Sequence, residues 1–150
     1  MRIAHESPDQ PDVIALIADL DAYQDSLYPA EARYALDLAS LSQSNVLFVV
    51  ARDANNCALG CGAIVLNDTC GEVKRMYVRP EARGQGVARE IIATLEAAAH
   101  AAGCRALVLE TGPYQPEALE FYARQGYERR GPFGDYPDHP LSVFMGKSLL

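Results

Sequence analysis

Positive charge is scarce in this chain: 13 lysines and arginines stand against 20 aspartates and glutamates, a net charge of -7. Nucleic acids and anionic membrane surfaces are held through basic patches, so this balance argues against either as the main partner. No run of eighteen apolar residues is present to cross a bilayer, and Met1-Arg2-Ile3-Ala4-His5-Glu6 lacks the apolar core of a secretory signal, so a cytoplasmic protein is expected. Cysteine is sparse too. Cys57, Cys61, Cys70 and Cys104 form no Cys-x-x-Cys and meet no histidine pair at zinc spacing. Neither a metal site nor a disulfide framework is expected, and the four thiols read as small, reduced, buried side chains. Two phosphate motifs are also missing: there is no Gly-x-x-x-x-Gly-Lys-Ser/Thr, and Arg89 stands where a Gly-x-Gly-x-x-Gly begun at Gly84 needs its third glycine.

With 150 residues the chain fits one domain, large enough to bury roughly two thirds of its unfolded surface. No repeat, low-complexity tract or linker divides it. A strand over Arg2–Glu6 leads through Pro8 and Pro11 to a helix reaching about Tyr23, on the period of Val13, Ile14, Leu16, Ile17 and Leu20. A second helix is expected over Ala30–Ala39. Val46–Ala51 and Leu59–Leu66 read as a hairpin around the Asp53–Asn56 turn. Glu72–Val78 is a further strand of broken parity, with Val73 on one face and Met76 and Val78 on the other; one extra residue between them, a β-bulge, would return all three to the same side.

After that strand the chain turns through Arg83-Gly84-Gln85-Gly86-Val87-Ala88 into a helix with Val87, Ile91, Leu95, Ala98 and Ala102 on one face, stopping at Gly103. Glycines there let backbone approach a ligand closely, and the first turn of the helix presents amides without intrahelical partners at the positive end of its dipole, which suits a pyrophosphate. Ala106–Glu110 then reads as a strand parallel to the preceding one, joined by a right-handed crossover. A last helix runs from Pro116 to Gly126.

Arg83-x-x-Gly86-x-Ala88, preceded by Lys74-Arg75-Met76-Tyr77-Val78, resembles motif A of the GNAT N-acetyltransferases. A second resemblance lies in Gln115, Ala118, Phe121, Tyr122, Gly126 and Tyr127, which occupy the places of that family's Asn-x-x-Ala-x-x-Leu/Phe-Tyr and following Gly-Phe/Tyr; Gln115 replaces the usual asparagine. The resemblance implies a single α/β domain: a mixed, mostly antiparallel sheet of six to seven strands with about four helices on both faces. It implies acetyl-coenzyme A as cosubstrate, held by Met76, Tyr77, Val78, Arg83, Gly84, Gln85, Gly86, Val87, Ala88 and Gln115, with the bulge freeing backbone amides for the acetyl oxygen and pantetheine. It further implies direct attack by a primary amine in a ternary complex. The alternatives are a non-catalytic acyl-coenzyme A sensor, disfavoured by the retained Tyr122, and transfer to a protein amine or to an aminoacyl-tRNA amine, the last disfavoured by the net acidity. Monomer and homodimer both stay open.

An alkyl amine with a pKa near ~10 is protonated at neutral pH and needs a base, while the departing thiolate needs a proton. Tyr122, matching the family's tyrosine, is the candidate acid. Glu72 is the candidate base, with Glu110, at the end of a buried strand, its rival. The acidic, aromatic segments at Tyr28–Glu31 and Phe133–Pro140 flank the thioester in the family, which nominates Tyr28, Glu31, Asp135 and Tyr136 for the acceptor. His139 reads as an ordinary loop histidine.

Overall fold

The computed structural model describes residues 1–150. Seven strands form one sheet: β1 (Arg2–His5), β2 (Val46–Arg52), β3 (Ala58–Leu66), β4 (Cys70–Val78), β5 (Ala106–Thr111), β6 (Glu128–Arg130) and β7 (Val143–Ser148), in the order β1-β2-β3-β4-β5-β7-β6. Every neighbouring pair is antiparallel except β4 and β5, the pair that the crossover helix joins. The helices are α1 (Pro11–Asp25), α2 (Leu38–Leu41), α3 (Val87–Ala101) and α4 (Pro116–Arg124). None is long and apolar enough to cross a membrane.

Strand alternation divides the core in two. On β2, Val49 and Ala51 join the cluster built on Ile91, Ile92 and Leu95 of α3, while Phe48 and Val50 join the one built on Val13, Leu16 and Leu20 of α1. The helices therefore cover both faces, as a sheet with two apolar faces requires. The buried stripe of α3 is Val87, Ile91, Ile92, Leu95 and Ala99. Ala98 and Ala102, expected on that face, lie off it, because a step of four from Leu95 reaches Ala99 and the helix ends at Ala101. Cys61 is fully buried and its thiol is pushed up to about 12 by burial, whereas Cys57 is exposed in the hairpin turn, contrary to the uniform burial expected.

The expected helix over Ala30–Ala39 does not form. Ala30–Ala32 make one 3-10 turn, Arg33–Asp37 run without helix, and only Leu38–Leu41 close a short helix, with Asp37 Oδ1 accepting from the Ser40 amide at 2.8 Å. Side chains from elsewhere claim the carbonyls a helix would use: Lys74 Nζ donates to Tyr34 O at 2.9 Å and Arg75 Nε to Leu36 O at 2.9 Å. Tertiary partners thus override local propensity.

Arg52 fastens β2 to α1 from a buried position. Its guanidinium donates to Glu6 Oε2 at 3.0 Å and Oε1 at 2.9 Å, to Asp12 Oδ2 at 2.6 Å and to Asn56 O at 3.0 Å. That guanidinium holds the Glu6 carboxyl below its ordinary 4.5 and the Asp12 carboxyl below 3.8. Because both values are depressed by folding, the stability they add is complete above about pH 5 and is lost as the pH falls through the folded-state values. Glu6→Gln is expected to destabilise the protein at pH 7 by roughly 1–3 kcal/mol and to flatten the loss of stability between about pH 5 and 3, measured by urea unfolding across that range.

Candidate active site

The site begins where the sheet comes apart. β4 and β5 pair only through Cys70–Glu72 and Ala106–Val108. Beyond Glu72 the strands separate, so the remaining β5-facing edge of β4 has backbone groups outside the ladder. The expected bulge lies in this stretch: Cys61 pairs with Tyr77 and Ala63 with Lys74, leaving Arg75 and Met76 together opposite Gly62. Arg75 takes the left-handed conformation, φ 58°. Its guanidinium holds that conformation from the α1 side, donating to Asp21 Oδ1 at 2.6 Å as well as to Leu36 O. The extra residue brings Val73, Met76 and Val78 to the α3 face and sends Tyr77 to the α1 face.

A groove of about 960 Å³ opens between these elements. Met76, Tyr77 and Val78 of β4, the whole of Arg83–Ala88, and Gln115 and Tyr122 on the α4 side line it, so all ten residues nominated for the cosubstrate come together. Gly84 and Gly86 have φ of 77° and 80°, where a side chain is strained, and open space surrounds the position a Cβ would take on Gly84. Gly86 is the N-cap of α3 and supplies no side-chain cap, leaving the first amides of a fifteen-residue helix directed at the groove. Arg83 Nε donates to Val78 O at 3.0 Å and its guanidinium lies 5.7 Å from the Tyr77 ring centre, which fixes the loop on the strand end.

A second, smaller cavity of about 110 Å³ adjoins the groove, with Met76, Gln115, Ala118 and Tyr122 lining both. Tyr122 is buried against Phe121 and Tyr127, and burial raises its pKa, so the phenol keeps its proton at neutral pH. Glu110 reaches the cavity from the end of β5. Burial pushes its carboxyl up to about 7; Ser142 and Lys74 temper the rise and Glu72 adds to it. Ser142 Oγ itself is buried without a hydrogen-bond partner, so its hold on Glu110 is weak.

The other nominated residues are placed unevenly. Tyr28 lines the cavity. Glu72 does not: Tyr136 Oη donates to its Oε2 at 2.5 Å, and Lys74 Nζ stands 3.2 Å away while donating to the same Tyr136 oxygen. Tyr136, its pKa raised by burial and by the bond to Glu72, packs edge-on against Tyr34, Phe133 and Phe144 and so pins the β6–β7 loop over β4. Glu31 and Asp135 are exposed and line neither space. His139 Nδ1 accepts from the Leu141 amide within its own loop. Sequence reasoning missed Arg33, Lys74 and Arg75 on the cavity wall, because their partners Asp21, Asp25 and Glu72 are distant in the chain or masked by alternation. Gly112, two residues past Glu110, was the one available signal for a close approach there.

Comparison with known proteins agrees with this architecture. The model of the "Acetyltransferase (GNAT) family" matches residues 13–127. An "IAA acetyltransferase" from Azospirillum brasilense is 48% identical over 149 residues, covering 98% of this chain and 97% of that protein. A crystal structure from Klebsiella pneumoniae, assigned to the acyl-CoA N-acyltransferases, superposes with a TM-score of 0.88 at 41% identity, covering 99% and 97% of the two chains. A PaiA N-acetyltransferase from Thermoplasma acidophilum in complex with coenzyme A shares the fold with a TM-score of 0.73 at 15% identity, over 99% of each chain. The groove at the parting of β4 and β5, the glycine loop opening α3 and these matches together show that the chain belongs to the GNAT acetyltransferase family.

Proposed function

We propose that the protein moves an acetyl group from acetyl-coenzyme A to the primary amine of a small molecule, with both substrates bound at once. The observation that carries this reading is the shared wall: Tyr122 lines the large groove and the small cavity alike, and Glu110 faces the cavity with a carboxyl that titrates near neutrality. Acetyl-coenzyme A supplies the activated acetyl thioester. The α3 N-terminus and the Arg83–Ala88 backbone suit its pyrophosphate, and the unpaired edge of β4 at Met76–Val78 suits its amides and acetyl oxygen.

The cavity's charge selects the acceptor. Arg33 and Arg75 are paired with Asp21 and Asp25, and Lys74 with Glu72, so the cations on the wall are neutralised within the protein. Glu110 has no such counter-ion and attracts an ammonium. Once ionised it takes the amine's proton, and the freed nucleophile attacks; Tyr122 Oη holds the proton that the leaving sulfur needs. Glu72, the base first nominated from sequence, fits better as the anchor of Tyr136, with Glu110 as base.

Thiol release with acetyl-coenzyme A across a panel of primary amines tests the reading; absence of turnover with every amine would remove it. Gly86→Val places a branched side chain at φ 80° over the first α3 amides and is expected to weaken coenzyme A binding at least tenfold in calorimetric titration, with a lowered melting temperature from backbone strain. Tyr122→Phe keeps the ring and removes the proton, so kcat is expected to fall roughly ten- to ten-thousandfold with coenzyme A affinity little changed. The wild-type rate is expected to rise with pH through about 7 as Glu110 ionises. Glu110→Gln should erase that inflection and lower kcat by roughly 10²–10⁴, read from pH–rate profiles at saturating substrates.

A further inference from the structure

Tyr28 is lodged in the cavity wall more firmly than packing alone requires. A Cβ on Gly112 would lie 2.0 Å from Tyr28 Oη and 2.1 Å from Cζ, so the ring occupies space that only a glycine leaves open. Tyr114 stacks on it, with ring centres 5.4 Å apart and planes 9° from parallel, and donates its amide to Tyr28 Oη at 3.1 Å. The ring is buried, and burial raises its pKa, so the hydroxyl stays neutral beside Glu110. It arrives from the segment after α1, whereas Gly112 and Tyr114 belong to the turn between β5 and α4. The wall is therefore a fixed aromatic plate spanning two elements, two residues along the chain from the Glu110 carboxylate's own backbone.

Resting on the acetyltransferase reading above, we propose that Tyr28, seated against Gly112, sets the upper size of the acceptor. The cavity measures about 110 Å³. A sealed apolar cavity of about 150 Å³ is filled by benzene, so the inner part of this partly open space, with Tyr28 in place, suits a slender amine tail better than a phenyl ring. The acceptor class is a short, unbranched alkyl amine or the equally slender amine-bearing end of a longer molecule. The tyrosine plate is itself uncharged, so its selection acts on shape, while Glu110 selects the ammonium.

The test compares kcat/KM for n-propylamine and benzylamine in the wild type, Tyr28→Ala and Tyr28→Phe; taking the ratio between variants cancels the amines' differing basicity. Wild type should favour n-propylamine at least tenfold. Tyr28→Ala should shift that ratio toward benzylamine by at least tenfold, and Tyr28→Phe, which keeps the plate, should hold the wild-type ratio within about threefold. Melting curves and coenzyme A titration establish that each variant is folded. Should Tyr28→Ala not fold, Tyr28→Val, which keeps an apolar side chain but removes the ring, should give the same shift. A folded Tyr28→Ala or Tyr28→Val with the wild-type ratio overturns the proposal, as does a wild type that uses both amines equally. A wild type that binds coenzyme A yet acetylates no amine overturns the functional reading, and the size limit with it.

Discussion

The guanidinium of Arg75 is the contact on which the rest of the site depends. It holds a non-glycine residue in the left-handed conformation by bonds to Asp21 in α1 and to Leu36 O. Left-handed backbone costs an ordinary residue roughly 1–2 kcal/mol, and two charge-assisted partners on a buried side chain offset it. Without the extra residue, Val73 and Met76 could not both face α3, and the inner surface of the groove would present polar atoms to the α3 core. One side chain therefore holds the bulge that sets strand parity, in the stretch where β4 has already parted from β5. Asp21 also receives Arg33, so the same carboxylate fastens the segment that walls the smaller cavity.

How much of this was legible in the chain follows from how local each cause is. The glycine loop and α3 could be read because their determinants are adjacent: Gly84, Gly86 and an apolar stripe beginning at Val87. The bulge was legible for a related reason, since Val73 and Met76 cannot share a face of a regular strand. The missing helix after Pro29 was illegible because nothing near Tyr34 or Leu36 announces that Lys74 and Arg75 will take their carbonyls. The same applies to Glu72, whose hydroxyl partner lies 64 residues away. Glu31 and Asp135 drew notice through loop charge, and charge in a loop says little about which way the side chain faces.

The two spaces use electrostatics in opposite ways. The groove presents the backbone amides of the α3 N-terminus together with Arg83, Arg89 and Arg124, a setting suited to a polyanion within a chain whose net charge is -7. The cavity is surrounded by full charges that cancel in pairs, leaving Glu110 in a poorly solvated position where its proton affinity rises to the range in which a carboxylate can exchange protons at neutral pH. Burial supplies the same service to Tyr122 with the opposite use, keeping a proton in place.

The parallel seam between β4 and β5 consists of three residue pairs. Four strands lie on one side of it and three on the other, joined also through the core beneath α3 and α4 and through Tyr136, whose hydroxyl bonds to Glu72 and Lys74 of β4. A ladder this short resists a change of angle between the halves less than a full-length ladder would. A ligand laid along the groove bridges the halves like a brace. A cosubstrate held there would stiffen the molecule by spanning the halves, and amides along β4 and β5 would then exchange their hydrogens more slowly in the loaded protein than in the free one.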